Sequence, residues 1–375
     1  MRGIAAVHGS PQPRFVDHPA PRDPGPGEVL CQTLELGICG TDREILHAAE
    51  PILPQGDDYL VLGHECLARV EAIGPAPAGS ERAPLADGST RPLEVGDLVV
   101  PLVRRAVEPR PERVDFLPFG TYRERGIVAA HGFSVPWWLD RPEYLFRVPR
   151  ALAPWAVLTE PLAVAEKGIN EALVLQQARL GPETWVQRPP RTLVTGPGPI
   201  GFAGVLAAVV RGWPTTLYGR DPADSSRAQL ARDLGAAYLP ASEANFQPDD
   251  LQASGYDLVL ECTGSEGVLI NAARATRASG VIVWLGSSRR PEPTANDLAY
   301  IVRDGLLRNH IHLGCVNAAP RDFVDALTHL DQLRQSMPGQ LERLVTARVT
   351  PDESLWHYEH REPQGIKVVL VYDGV

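Results

Sequence analysis

The 375-residue chain has no long apolar run, no block of basic residues and few cysteines. No stretch approaches the roughly 20 apolar residues of a membrane-spanning helix. The start, Met1-Arg2-Gly3-Ile4-Ala5-Ala6-Val7-His8, lacks the apolar core of a signal peptide, so a cytoplasmic protein with no membrane partner is expected. The formal charge of −10 is spread along the chain and offers nothing to track a phosphate backbone, which argues against nucleic acid as a partner. The five cysteines, Cys31, Cys39, Cys66, Cys262 and Cys315, are odd in number and scattered, against a disulfide framework. Positive charge is almost all arginine, and the 36 prolines are an unusually large share. That pairing fits shortened, stiffened loops, through either thermal robustness or codon bias.

What is present describes an ordinary folded chain, with 44% hydrophobic and 22% charged residues. Its length exceeds what one core organises, so two domains are expected. From Met1 to about Val103, short apolar stretches such as Val29-Leu30-Cys31 alternate with turns such as Pro24-Gly25-Pro26-Gly27, the signature of a mostly antiparallel β-domain. Arg104 to Pro118, charged and proline-rich, reads as a surface lobe, and Pro154 to Leu175 as a helix. From Arg191 strands and helices alternate: Thr192–Thr195, Phe202–Val210, Thr215–Tyr218, Leu258–Glu261, Val281–Leu285. This implies a doubly wound parallel sheet covered on both faces. After about Leu313 the chain is expected to return to the first domain and to end in the strand Lys367–Tyr372. The expected division is therefore 1–188 with 314–375, and 189–313 inserted between them.

Two constellations carry chemistry. Gly196-Pro197-Gly198-Pro199-Ile200-Gly201 lies between a strand and a helix, the setting in which a GxGxxG loop holds a dinucleotide pyrophosphate at a helix N-terminus. At the tip of the second strand stands Gly219-Arg220-Asp221. An arginine fork there suits a 2′-phosphate, while Asp221 leaves room for a ribose hydroxyl, so NADP is expected to be preferred or both cofactors used. The second constellation is Cys39 in Gly37-Ile38-Cys39-Gly40-Thr41-Asp42, with His64-Glu65 and a later Thr159-Glu160-Pro161. Thiol, imidazole and carboxylate leaving an open position are what a catalytic zinc requires, and Asp42 is placed to orient His64.

With GICGTD, LGHE, GDLVV, LTEPLAVAEK and GPGPIG in order along essentially its whole length, the chain resembles the zinc-dependent medium-chain dehydrogenase/reductase superfamily. It is most similar there to the archaeal-type glucose 1-dehydrogenases. That likeness rests on Cys39–Glu44, Val99–Arg105, Glu124–Ile127 with His131–Phe133, and Gly314–Ala318. The resemblance implies a GroES-like mostly-β catalytic domain plus a Rossmann cofactor domain. It implies zinc ligands at Cys39 and His64, with Glu65 and Glu160 as alternating or additional ligands. Sugar contacts fall on Thr41, Glu124, Glu160 and Asn317. Cofactor contacts fall on Pro197 to Ile200, Gly219 to Asp221, Leu285-Gly286-Ser287 and Cys315-Val316-Asn317.

The sequence also departs from its relatives. Many carry a lobe with four cysteines around a structural zinc, and Arg104 to Phe119 has none, so one zinc per chain is expected. Glu44 stands where the alcohol dehydrogenase branch has a proton-relaying histidine, and His47 is one candidate substitute. Val164 replaces a residue that is polar in some glucose dehydrogenases.

The expected reaction is oxidation of an aldose, D-glucose first, at C1 to the lactone with reduction of NADP or NAD. Thr41 would take the proton and hydride would leave for the nicotinamide. The alternatives are a polyol, threonine or alcohol dehydrogenase of the same fold, and a non-catalytic nucleotide-binding subunit. Relatives imply a homodimer or homotetramer.

Overall fold

A computed structural model of the chain describes residues 1–76, 91–108, 113–244, 246, 255–286 and 298–372. By its internal contacts the chain divides into two compact units: Met1–Glu160 with Asn317–Asp331 and Val345–Val375, and Pro161–Val316 with Gln332–Leu344.

The first unit is built from short strands, as the dense Pro/Gly punctuation requires. Strands β1 (Arg2–Val7) and β2 (Arg14–Asp17) pair antiparallel, and β3 (Val29–Gly37) leads into helix α1 (Gly40–Ala48). Next come β4 (Tyr59–Val61), β5 (Glu65–Ile73), β6 (Leu98–Pro101) and β7 (Arg104–Ala106). Strands β8 (Tyr122–Arg125), β9 (Ala129–Ala130), β10 (Trp137–Asp140) and β11 (Leu145–Val148) follow. A 3-10 segment, Arg150–Leu158, then runs into helix α2 (Thr159–Leu180).

The second unit is a six-stranded parallel sheet of β12 (Thr192–Thr195), β13 (Thr215–Gly219), β14 (Ala237–Pro240), β15 (Tyr256–Glu261), β16 (Thr276–Trp284) and β17 (Ile311–Gly314). Their spatial order is β14-β13-β12-β15-β16-β17. Helices α3 (Pro199–Val209), α4 (Ser226–Asp233), α5 (Glu266–Ala275) and α6 (Leu298–Arg308) connect them. The central strands β12 and β15 are almost entirely buried, as a sheet covered on both faces demands.

The chain then supplies α7 (Pro320–Ser336), α8 (Pro338–Glu342), β18 (Val345–Val349), α9 (Pro351–Glu359) and β19 (Lys367–Val371). Strand β19 completes the larger sheet of the first unit, ordered β11-β6-β5-β3-β19-β18 with β10 also on β3.

Two findings differ from the sequence reading. Most of α2, expected to close the first domain, packs with the parallel sheet. A Cβ on Gly168 would sit 3.1 Å from Val283, Gln176 donates to the Ser279 carbonyl at 2.8 Å, and Glu166 pairs with Arg211 at 2.5 Å. The stretch read as a surface lobe begins with a buried strand, because Arg104 and Arg105 meet counter-charges: Arg104 pairs with Glu124 at 2.9 Å and Arg105 with Asp140 at 2.8 Å. Charge alone signalled solvent, and the partners lie 20 and 35 residues away.

Candidate active site

Strand pairing in the first unit brings the metal-type donors together. β3 ends at Gly37 directly opposite Glu65, where β5 begins, and on its other side Gly37 faces Val369 of β19. Cys39 lies two residues past that end, His64 one residue before β5, and Lys367 two residues before Val369. Three segments distant in sequence thus converge at one end of the sheet. The thiol, one imidazole nitrogen and one carboxylate oxygen of Cys39, His64 and Glu65 lie within 4.8 Å of one another. A side chain at Gly37 would strike the Glu65 carboxylate, so glycine is required there by close approach.

The surroundings fix this cluster. Cys39 is the N-cap of α1, and its N–H donates to Asp42 Oδ2 at 2.9 Å. Asp42 Oδ1 accepts from the Gly63 N–H at 3.3 Å and stands 3.6 Å from His64 Nδ1. Burial works against ionisation of Asp42, but His64 and the two backbone N–H groups outweigh it and hold the carboxyl below its usual range. Burial likewise opposes a charge on His64, yet Cys39 and Asp42 keep its pKa well above the ordinary histidine value. The imidazole is thus held between a thiol and a carboxylate, and sulfur, nitrogen and oxygen donors are the set a zinc ion takes. The residues present fit that metal.

Glu65 is held elsewhere at the same time. Lys367 Nζ donates to its two oxygens at 2.7 and 2.5 Å and to the Ile38 carbonyl at 3.3 Å, so the ammonium spends its three donors on three acceptors. Lys367 and Glu65 are both fully buried. Sequence reasoning missed Lys367, although a signal was present: the chain contains only two lysines, Lys167 and Lys367, and both are buried.

Glu160, at the second position of α2, is not among the three donors within 4.8 Å. Burial, helped by the neighbouring charges of Glu65 and Glu124, pushes its pKa up to about 7 against the pull of His64 and Lys367. Thr41 is half-buried in the first turn of α1, whereas His47, the alternative proton relay, is exposed in its last turn.

Two expected sugar contacts do meet. Asn317 Nδ2 donates to Glu124 Oε1 at 2.9 Å, and the same oxygen accepts from Arg104 at 2.9 Å. Arg104 also donates to the Asp115 carbonyl at 2.9 Å and lies over the Tyr122 ring, so the guanidinium is fixed before it fixes Glu124. Nothing in the sequence singled Arg104 out for this.

In the second unit the glycine loop leaves β12 and enters α3 with Gly198 as N-cap. Gly196 has φ +86°, which favours glycine, and a Cβ on Gly201 would collide with the Gly196 carbonyl. No atom lies within 4 Å of a Cβ built on Gly198, so that face of the turn is open. Pro197 packs against Gly219 at the tip of β13, leaving Pro199 and Ile200 to start the helix. Arg220 is exposed, while Asp221 is engaged by Arg227 at 3.2 Å.

Leu285 and Gly286 both donate their N–H groups to the Glu261 carbonyl, and Ser287 lies outside the described residues. Cys315 is buried, its N–H bonded to the Trp284 carbonyl at 3.0 Å. Val316 is exposed, with its carbonyl held by Lys167 at 2.8 Å. Among the described residues no helix is long and apolar enough to cross a membrane.

Known proteins resemble this chain along its whole length. A family model described as "Glucose dehydrogenase C-terminus" matches residues 153–372, and one described as "Alcohol dehydrogenase GroES-like domain" matches residues 25–136. The chain is 36% identical to glucose 1-dehydrogenase 1 of Caldivirga maquilingensis over 375 residues, 99% of this chain and 98% of that one. It is also 36% identical to the glucose 1-dehydrogenase of Thermoproteus tenax over 372 residues, 99% of each. Among solved structures, the glucose dehydrogenase of Haloferax mediterranei in complex with NADP, zinc and gluconolactone is 27% identical. It superposes with a TM-score of 0.80, each chain covered in full.

Proposed function

Because the chain belongs to the archaeal-type glucose 1-dehydrogenase family of zinc-dependent medium-chain dehydrogenases, we propose that it oxidises D-glucose at C1 to the lactone while reducing NADP, with NAD the weaker cofactor. The observation that carries this reading is the convergence of Cys39, His64 and Glu65 in the same unit as the Glu124–Asn317 pair.

Cys39, His64 and a carboxylate from Glu65 or Glu160 would hold one zinc per chain. When bound, that ion supplies the Lewis acidity that makes the anomeric hydroxyl acidic near neutral pH. Thr41 would accept the hydroxyl proton and hand it toward solvent, and a bound nicotinamide would supply the acceptor for the C1 hydride. Glu124, with Oε1 already taken by Arg104 and Asn317, offers Oε2 to a ring hydroxyl, so a sugar lacking that hydroxyl leaves that oxygen without its donor. Asp42 keeps His64 oriented.

Gly196–Gly201 would hold the dinucleotide pyrophosphate, Gly219–Asp221 the adenosine ribose, and Leu285, Gly286, Cys315 and Val316 the nicotinamide half. The preference for NADP follows from Arg220 being exposed to take a 2′-phosphate while Asp221 is occupied by Arg227. The chain pairs with a second copy. Leu298, Val302 and Leu306 form one face of α6 at 68%, 69% and 76% exposure, and β17 is a sheet edge among the described residues.

Steady-state kinetics on glucose, galactose and xylose with NADP and NAD, before and after chelation, test this reading. Glucose-dependent NADP reduction that is lost on chelation and restored by zinc, with about one zinc per chain, is expected. Turnover unaffected by complete metal removal, or none with glucose in zinc-loaded protein, refutes it.

A further inference from the structure

At the carboxyl ends of β12, β15 and β16 lies a buried carboxylate that neither the metal site nor the sugar contacts use. Glu261, the last residue of β15, has no exposed surface. Its Oε1 accepts from Thr195 Oγ1 at 3.0 Å, from the Thr263 N–H at 2.8 Å and from the Thr263 hydroxyl, and its Oε2 accepts from the Gly264 N–H at 3.0 Å. Its backbone carbonyl receives the Leu285 and Gly286 N–H groups at 2.8 and 2.9 Å. Thr195, in turn, takes the Cys262 N–H at 3.1 Å.

One residue thus ties together the three strand ends from which the glycine loop, the Cys262–Gly264 turn and the Leu285–Gly286 turn depart. These turns touch with no room to spare. A Cβ on Gly196 would meet the Thr263 methyl at 2.6 Å, and one on Gly286 would meet the Gly264 and Thr263 nitrogens at 2.3 and 2.6 Å.

Sheet order says which half of a dinucleotide rests there. The ribose-reading tip of β13 lies on one side of the glycine loop after β12, while β15 and β16 lie on the other. A dinucleotide with its pyrophosphate at the loop and its adenosine at β13 must extend its second nucleoside over the ends of β15 and β16. We propose that Glu261 is the positioning residue for the nicotinamide half of the cofactor, setting the turns at Thr263–Gly264 and Leu285–Gly286 on which that half lies. This rests on the dinucleotide reading of the second unit.

Glu261→Gln tests the proposal, because its amide nitrogen would face the Gly264 N–H, donor against donor, at unchanged volume. Calorimetric titration of zinc-loaded protein with NADP and with adenosine 2′,5′-bisphosphate separates the two halves. About tenfold or greater weakening for NADP is expected, with less than twofold change for the fragment and unchanged zinc content. Thr263→Val, which deletes one donor to Glu261 at nearly constant shape, is expected to act in the same direction by about threefold, and decides the matter if the glutamine variant does not fold.

Equal weakening of both ligands would mean general damage to the sheet and overturn the proposal, as would unchanged NADP binding. If the wild-type chain binds neither of these ligands nor NAD, the dinucleotide reading fails and this one with it. If the wild type binds and the variants match it, only the role of Glu261 fails.

Discussion

Replacing Lys367 by methionine should cost the first unit far more than the loss of one hydrogen bond. The ammonium is fully buried and its three donors are spent on Glu65 and the Ile38 carbonyl, so truncation leaves Glu65 charged and enclosed beside Cys39 and Glu160. Breaking a buried pair from one side costs about 3–5 kcal/mol, mostly from the stranded charge. With a urea slope of about 2–3 kcal/mol per molar, the unfolding midpoint of the metal-free protein should fall by about 1–2.5 M.

Removing the other charge as well, in Lys367→Met with Glu65→Gln, should recover most of that loss, giving a coupling of about 3 kcal/mol. Zinc should stabilise the single variant more than the wild type, because the freed Glu65 carboxylate becomes an additional ligand within reach of Cys39 and His64. Paired urea titrations with and without zinc measure all three effects. A midpoint shift below about 0.3 M in the single variant, or a double variant no more stable than the single, would refute the stranded-charge reasoning.

Stability should also depend on pH through a ring cluster on the first unit, where His18 bonds Tyr59 at 2.9 Å and lies 4.7 Å from His131. Burial, then the charge of His131, lowers His18 from 6.5 to about 4, so between those values the unfolded chain binds more protons and stability falls as the pH drops. About 1 kcal/mol is expected after allowing for the ring's partial exposure, and a His18→Gln variant with the same loss between pH 7 and 5 would contradict it. Glu124→Gln should raise the KM for glucose about tenfold while zinc content stays unchanged, and wild-type kinetics would remove Glu124 from the sugar site. Leu306→Glu, or Val302→Glu, should shift the sedimentation profile toward single chains. A variant that stays as associated as the wild type would place the interface elsewhere.

Much of this chain is legible without coordinates because its signals are local. The glycine loop declares itself by lying between a buried strand and a helix, and both the positive φ at Gly196 and the contact at Gly201 are consequences of a six-residue stretch. The parallel sheet follows from strand-helix alternation, and Cys39, His64, Glu65 and Glu160 stand out by residue type and setting, whereas Thr41 and Asn317 are singled out only by the family resemblance.

What the sequence leaves open are partners that only the folding together of distant segments joins. Lys367 reaches Glu65 across 302 positions, Asn317 reaches Glu124 across 193, and Arg104 turns from an apparent surface charge into a buried clamp. A buried charge is tolerated only where an opposite charge or a set of donors meets it. Which charges meet depends on which strand ends lie side by side, and that register is fixed by the packing of the whole sheet rather than by any one segment of it.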